Sequence, residues 1–165
     1  MAAIETPHEL FVHKLGAALR MEHTTLEILE NLQQKASDSR LRRQLQHHRL
    51  DTQQQIQNLH RAFESLGREP ESHPCPVIDG FEQNTEQMVD QVDDDLLDLV
   101  ILDGVIETEH YEIGVYEGLI ITAETSGEED LVPLFQENLE EEQETLDEAV
   151  KAAEQLSYKL TKHAL

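Results

Sequence analysis

Six side chains of metal-ligating type interrupt apolar stripes that have helical spacing: Glu22, His48, Asp51, Glu109, Glu112 and Glu141. In each stripe, apolar residues three and four positions apart lie on both sides of the polar position. An ionised carboxylate inside an apolar core is costly unless it is paired or bound to a cation, and facing acids would otherwise repel and take up protons. The pattern therefore predicts that these acids share one or two cations.

The ligand types narrow the choice of metal. Carboxylate oxygens with at most one or two imidazoles suit iron or manganese, whereas a structural zinc site would use Cys or more His. The sequence has a single cysteine, Cys75, which excludes a Cys-based zinc site. We therefore expect iron as the metal, with manganese as the alternative.

The pattern leaves alternatives open at several positions. Glu22, Glu109 and Glu141 have apolar neighbours along their stripes, which favours a metal ligand over a buried acid that is only hydrogen-bonded. The shorter Asp51 is either a ligand or an acid that hydrogen-bonds Gln55 or a neighbouring helix. His48 is either a ligand or the hydrogen-bond partner of a ligating carboxylate.

Two further positions depend on helical phase. Glu112 lies three residues after Glu109 on the same face, so both could chelate one ion; an arginine-paired position at the edge of the bundle is the alternative. In the acidic run Glu140–Glu142, the spacing predicts that only Glu141 points inward.

Four long segments with helical periodicity carry these residues, at roughly 8–36, 39–66, 93–125 and 129–162. The short connections at 37–39 and 126–128 require antiparallel neighbours, whereas residues 67–92 can cross from one helical pair to the other. Part of this crossover, Val77 to Val92, is a candidate for a further short helix. The predicted fold is all-α: an antiparallel four-helix bundle with one long middle connection, as in ferritin-like folds.

Helical rise places one acid of each helix at the same level of the bundle. Glu22 lies about 22 Å before the first turn and Asp51 about 20 Å after it, at about 1.5 Å per residue. Glu109 and Glu141 are each about 20–25 Å from the second turn by the same count. Each half is thus a helical hairpin with one inward acid per helix, which is the pseudo-twofold arrangement of carboxylate-bridged dimetal bundles.

Composition excludes several other classes. The 165 residues suit one domain, over 1–165, and they include 35 Asp and Glu against 12 Lys and Arg, a formal net charge of −23. Such acidity argues against nucleic acid and anionic membrane surfaces as partners, since both bind Lys and Arg. With no secretory signal and no stretch long enough to span a bilayer, we expect a cytoplasmic protein.

The motifs together resemble the YciE/YciF family of ferritin-like, stress-associated bacterial bundles. The resemblance covers nearly the whole chain and is carried by Glu22, His48–Thr52, Glu109–Ile113 with Tyr116, Leu139–Glu142, and Cys75 followed by Gly80-Phe81. It implies a ferritin-like fold, a dinuclear iron-type centre and a homodimer. Asp51 stands where the family usually carries Glu.

The functional hypothesis is a diiron redox protein that oxidises iron with O2 or peroxide, in a stress-related role. A mononuclear site is one alternative. Another is a metal-free structural or interaction protein, in which the buried polar residues form a hydrogen-bond network that specifies helix register.

Overall fold

The structure is a computed structural model that describes residues 3–163, all of whose regular elements are helical. They are α1 (Pro7–Lys35), α2 (Ser39–Ser65), α3 (Pro76–Val89), α4 (Asp94–Ser126), a 3-10 turn (Glu129–Leu131) and α5 (Val132–His163). The four long helices confirm the predicted bundle. The expected extra helix in the crossover is α3, which begins at Pro76 and ends at Val89 rather than at Val92.

The order of helices around the bundle is α1, α2, α5 and α4, and each contacts its two neighbours. α1 and α4 run antiparallel, because Thr25 of α1 meets Glu112 of α4 while Glu22, one turn earlier, meets Tyr116, one turn later. α2 and α5 also run antiparallel: His48 faces Glu142, whereas Asn58, later on α2, meets Asn138, earlier on α5. The middle of every long helix therefore lies at the same height.

Local sequence sets the ends of these helices. Thr6 and Glu9 form a capping box at the start of α1, in which the Thr6 hydroxyl accepts from the Glu9 N–H and the Glu9 carboxylate accepts from the Thr6 N–H. Asp38 accepts two backbone N–H groups of the first turn of α2. After α4, Gly127 has φ 83°, a left-handed conformation that glycine adopts without strain.

Two glycines let the crossover pack closely on the bundle. A Cβ at Gly16 of α1 would collide with the His73 ring, and the His73 N–H donates to the Gly16 carbonyl at 2.9 Å. A Cβ at Gly104 of α4 would lie 2.8 Å from the Thr85 hydroxyl of α3. The crossover and α3 thus cover the α1–α4 side of the bundle.

The core consists, over residues 3–163, of two apolar clusters with a polar layer between them. The cluster nearer the α4–α5 turn includes Phe11, Leu15, Phe63, Leu119 and Phe135. The cluster nearer the α1–α2 turn includes Leu29, Leu41, Leu45, Ile101 and Leu102. In the described part of the chain, no helix has the length and apolar character needed to cross a membrane.

Candidate metal centre

The polar layer contains four glutamates and one histidine, called here the inner cluster: Glu22, His48, Glu109, Glu112 and Glu142. The glutamates are 0% exposed and the histidine is 4% exposed. Each long helix contributes at least one of them, because the acids interrupt the apolar stripes at matching heights. The inner cluster lies between the two apolar clusters.

The ligand-type atoms of this layer are close together. One such atom from each of His48, Glu109, Glu112 and Glu142 lies within 4.8 Å of the other three. His48 Nε2 is 3.1 Å from Glu109 Oε1 and 3.9 Å from Glu142 Oε2. Opposite ligands of one ion are about 4 Å apart at bond lengths of about 2.1 Å, so little rearrangement would close the shell.

Hydrogen bonds satisfy only a small part of the inner cluster. The Tyr116 hydroxyl donates to Glu22 Oε1, and the Thr25 hydroxyl donates to Glu112 Oε1 at 2.5 Å. Among the described residues, the second oxygen of Glu22 and of Glu112 has no hydrogen-bond partner, and neither oxygen of Glu109 or of Glu142 has one. The two nitrogens of His48 make no hydrogen bond of normal geometry with that part of the chain either. Buried polar atoms are rarely left in this state, so the cluster requires cations or shared protons.

Burial favours the uncharged form of every side chain in the inner cluster, and repulsion between the carboxylates adds to this effect. Burial raises the pKa of Glu22, Glu109 and Glu142 well above its usual range, and the neighbouring carboxylates raise it further. Burial raises the pKa of Glu112 to about 8, against which the Thr25 hydrogen bond acts. Burial lowers the pKa of His48 to about 4, so its imidazole is neutral at pH 7 and has a lone pair available for a metal.

Four of the six residues predicted from the sequence lie in the inner cluster, and α5 contributes a different acid from the expected one. The expectation that only Glu141 of the acidic run points inward is wrong, because Glu142 is fully buried and Glu141 is partly buried. The buried face of α5 at this level follows Phe135, Asn138 and Glu142, so the acid that faces inward comes one residue after Glu141. Because residues 140, 141 and 142 are all glutamate, residue type alone did not show which of them points inward.

Asp51 also lies outside the inner cluster. Its side chain is 23% exposed, and Oδ2 is 2.9 Å from Nδ1 of His47 one turn earlier. The buried face of α2 instead follows His48, Thr52 and Gln55. As ligands, Asp51 and Glu141 remain predictions.

The hydroxyl donors were not assigned from the sequence. The hydroxyl of Tyr116 lies between Glu22 and the amide of Asn138, whose Nδ2 is 3.0 Å from the Tyr116 oxygen. Asn138 in turn accepts from Asn58 Nδ2 at 2.8 Å. The apolar stripe of α1 gave no signal for Thr25. These partners come from different helices, so no spacing within one helix could reveal them.

The fold and the site together define a helical-bundle protein with a buried carboxylate and histidine cluster that could hold a metal ion. Residues 6–162 match the family described as "Domain of unknown function (DUF892)", and the chain belongs to that family. The match includes the whole of the inner cluster.

Two relatives support the same assignment. The protein YciF of Escherichia coli K12 is 24% identical over 144 residues, which are 86% of this chain and 87% of YciF. The structure of this E. coli stress protein superposes on the present chain with a TM-score of 0.87, and the match covers 94% of this chain and 99% of the YciF chain. YcfI of Rhodopseudomonas palustris, described as a putative structural protein, is 31% identical and superposes with a TM-score of 0.86. That match covers 88% of this chain and 94% of the YcfI chain. The predicted YciE/YciF assignment is thus confirmed.

Proposed function

We propose that this protein binds two iron ions in the inner cluster and couples the oxidation of Fe(II) to the reduction of O2 or peroxide. The observation that carries this proposal is the group of buried acid and imidazole atoms within 4.8 Å of one another that lack hydrogen-bond partners among residues 3–163. The four buried glutamates have four negative charges when ionised, which two divalent cations would neutralise.

The chain's own residues have distinct roles in this proposal. Glu109 and Glu142 have four unpartnered oxygens among the described residues and would hold the two ions, and the neutral imidazole of His48 would supply a nitrogen ligand. The Tyr116 hydroxyl holds one oxygen of Glu22, and the Thr25 hydroxyl holds one oxygen of Glu112. Each hydrogen bond fixes its carboxylate so that the second oxygen is available to the centre. Two Fe(II) ions bound there would supply the two electrons that, with two protons, convert one peroxide into two waters.

The space beside the inner cluster favours a small oxidant over an organic substrate. The two cavities that reach His48 have volumes of about 10 Å³ and about 30 Å³. A single water-sized molecule fits such a volume. The apolar clusters on both sides keep bulk water away from the centre.

A physiological role is proposed by analogy with the family. The E. coli relative is described as a stress protein. We extend that role to this chain as protection against the combination of Fe(II) and peroxide. The homodimer implied by the family resemblance is a separate proposal, which sedimentation of the purified protein would test.

Anaerobic titration with Fe(II), followed by air or peroxide, tests the function. We expect about two Fe(II) bound per chain and oxidant consumption above the buffer rate. Glu142→Gln should abolish both, whereas the matched variant Glu140→Gln, which removes an exposed acid two residues away, should behave as the unchanged protein. A stoichiometry near one would favour the mononuclear alternative.

The metal-free structural alternative has one observation in its favour. The relative from R. palustris is described as a putative structural protein, and shared protons could replace cations between the acids whose pKa is raised. In that case Fe(II) would leave the melting temperature unchanged and Glu142→Gln would have the same effect with and without metal. That result would exclude the diiron proposal.

A further inference from the structure

Two small cavities lie between the surface and the inner cluster, on the side of the bundle that α3 covers. The first, called here the inner cavity, has a volume of about 10 Å³ and is lined by His48 and Glu109 of the inner cluster. The second, the outer cavity, also has a volume of about 10 Å³ and lies between α1 and α3. It reaches the surface at the exposed side chains of Asn31, Lys35 and Glu86. Each cavity offers about the space that one water molecule needs.

Three side chains separate the two cavities, because Ile28 and Leu32 of α1 and Thr85 of α3 line both of them. Leu32 is 4% exposed and Thr85 is 6% exposed. Thr85 packs against α4, where a Cβ on Gly104 would lie 2.8 Å from the Thr85 hydroxyl. Gly104 also lines the inner cavity, so the lack of a side chain at this position leaves room for that hydroxyl beside the cavity.

The polar part of the inner cavity wall, apart from the inner cluster, consists of three threonines: Thr25, Thr85 and Thr108. The Thr25 hydroxyl donates its proton to Glu112 at 2.5 Å, and the Thr108 hydroxyl donates its proton to the Gly104 carbonyl at 2.8 Å. Both hydroxyl oxygens keep lone pairs that accept hydrogen bonds. A molecule that enters from outside therefore meets acceptors, which favours a molecule with O–H groups.

The apolar part of the same wall disfavours a metal ion. Its members, which have no ligand atom, are Ile28, Leu29, Leu32 and Val105. A divalent ion that passed between them would lose its water without replacement. Dioxygen suits apolar walls but has no hydrogen to donate to the threonines. Hydrogen peroxide is small and neutral and donates two hydrogen bonds, so it suits both parts of the wall.

We propose that hydrogen peroxide is the oxidant of this protein and that it reaches the inner cluster between α1 and α3, past Ile28, Leu32 and Thr85. This inference rests on the proposed function, since it names the oxidant and its route to that centre. The methyl group of Thr85 limits the width of the route, and its hydroxyl accepts a hydrogen bond from the peroxide. At the centre the peroxide takes up two electrons from Fe(II) and two protons, and its O–O bond breaks to give two waters.

The cavity between α2 and α5 is the alternative route. It has a volume of about 30 Å³ and is lined by Thr145 and, at the inner cluster, by His48. The route between α1 and α3 instead reaches both His48 and Glu109. A threonine lies in the wall of each route, so the same substitution tests both.

The first test measures peroxide access in the metal-free full chain, with a methionine as reporter. Leu29→Met places a sulfur in the wall of the inner cavity with little change of volume, since Leu29 lines this cavity and is 2% exposed. Peroxide transfers one oxygen atom to the sulfur and leaves as water, and peptide mass spectrometry measures the sulfoxide. We expect the reporter to be oxidised about tenfold faster than Met21, which is 0% exposed in the other apolar cluster and reacts only when the core opens.

Two substitutions of Thr85, each added to the reporter chain, separate polarity from width. Thr85→Val keeps the shape and removes the hydroxyl, so oxidation of the reporter should slow about fivefold, the effect expected of one hydrogen bond. Thr85→Ser keeps the hydroxyl and removes the methyl group, so oxidation should become faster. The matched control Thr145→Val makes the same change in the cavity between α2 and α5 and should leave the rate unchanged. Circular dichroism and thermal melts of each variant verify that it is folded.

The second test compares two oxidants in the Fe(II)-loaded chain by stopped-flow mixing. Thr85→Val should slow the reaction with hydrogen peroxide about fivefold and leave the reaction with dissolved O2 unchanged, because O2 donates no hydrogen bond. Equal slowing of both reactions would overturn the selection of peroxide by the Thr85 hydroxyl.

The outcomes separate this inference from the proposed function. If the reporter is oxidised quickly and responds to Thr85, but the chain binds no Fe(II), the diiron function fails and the peroxide route remains. If the reporter is oxidised no faster than Met21, the route is overturned even where the chain binds and oxidises iron. Slowing by Thr145→Val but not by Thr85→Val would also overturn it, since peroxide would then enter between α2 and α5.

Discussion

Two buried acids on the same helix have opposite surroundings. Asp98, near the start of α4, is 6% exposed and accepts hydrogen bonds from the Ser37 N–H at 2.8 Å, the Ser37 hydroxyl at 2.6 Å and the Asp38 N–H at 2.9 Å. Glu109, three turns later, is 0% exposed and accepts none from the described residues. Asp98 ties α4 to the turn between α1 and α2.

The contrast distinguishes a structural acid from a candidate functional one. An acid that serves only the fold is surrounded by donors, since an unpaired buried carboxylate destabilises the chain. Glu109 and its neighbours instead face one another with most of their oxygens unpaired among residues 3–163. This is the arrangement expected of residues whose partner is not part of the chain, such as a metal ion.

The largest expected effect comes from removing the structural acid. Asp98→Ala leaves three donors at the α1–α2 turn without their acceptor, so we expect a loss of about 3 kcal/mol in the free energy of unfolding, at about 1 kcal/mol per hydrogen bond. Urea denaturation would measure it. Asp98→Asn, which keeps one acceptor oxygen, should lose less. Metal stoichiometry should be normal in both variants, and a loss of bound metal would remove the distinction between the two acids.

Metal addition should stabilise the protein through the inner cluster. An ion that binds only the folded chain adds about 2.7 kcal/mol at a free concentration one hundred times its Kd. Thermal melts with and without Mn(II) or anaerobic Fe(II) would measure this gain. Asp98→Asn should show the full gain and Glu109→Gln none. Equal gains in these two variants would mean that the ion binds elsewhere.

The metal-free protein should become less stable above pH 6.5. Glu112 keeps its proton up to about pH 8 in the folded protein, whereas glutamate in the unfolded chain ionises near pH 4.5. The contribution of Glu112 to stability is therefore complete below pH 4.5 and is lost as the pH rises to about 8. His48 acts oppositely: its contribution is present above 6.5 and is lost as pH falls towards its folded pKa of about 4. Between pH 6.5 and 8 the contribution of His48 is nearly constant, and the falling contribution of Glu112 remains.

We expect a loss of about 2 kcal/mol over that interval from Glu112 alone, at about 1.4 kcal/mol per pKa unit. Denaturation curves at several pH values would measure it. Bound divalent ions should remove the dependence, because they hold the carboxylates ionised at every pH in this range. A metal-free stability that is flat between pH 6.5 and 8 would contradict the raised pKa of the inner acids.

The smallest effect is expected from the hydroxyl that holds Glu22. Tyr116→Phe removes the donor to Glu22 and one acceptor of Asn138, which still reaches the Gln55 carbonyl at 3.3 Å. We expect a loss of about 1 kcal/mol in the metal-free protein and metal binding weakened about tenfold. Titration calorimetry would measure the affinity. Tyr111→Phe removes a hydroxyl that contacts the Cys75 thiol and should leave metal affinity unchanged.

Much of the architecture was predictable because it depends on local spacing. Apolar residues at three- and four-residue intervals predicted the four long helices, and the short connections predicted at 37–39 and 126–128 contain Asp38 and Gly127, which cap helices in the structure. The polar layer was also visible, since Glu22, His48 and Glu109 interrupt apolar stripes of helical spacing. Helical rise then placed them at one height.

The identity of the inner acid of α5 was decided only by packing. Successive residues of a helix differ by about 100° in direction, so a one-residue error in phase replaces Glu142 by Glu141. Phe135 and Leu139, both buried in the apolar cluster near the α4–α5 turn, rotate α5 so that Glu142 faces inward. On α2, the same kind of rotation turns His48 inward and leaves Asp51 at the edge.

Local spacing along the chain therefore determined the helices, their antiparallel order and the height of the polar layer, because those depend on the 3.6-residue period and on connection lengths. Tertiary packing decided which acids meet, which of them obtain a hydroxyl from another helix, and which remain at the surface. Contacts between helices fix the rotation of each helix about its axis. That rotation divides neighbouring acids such as Glu141 and Glu142 between an outer and an inner environment.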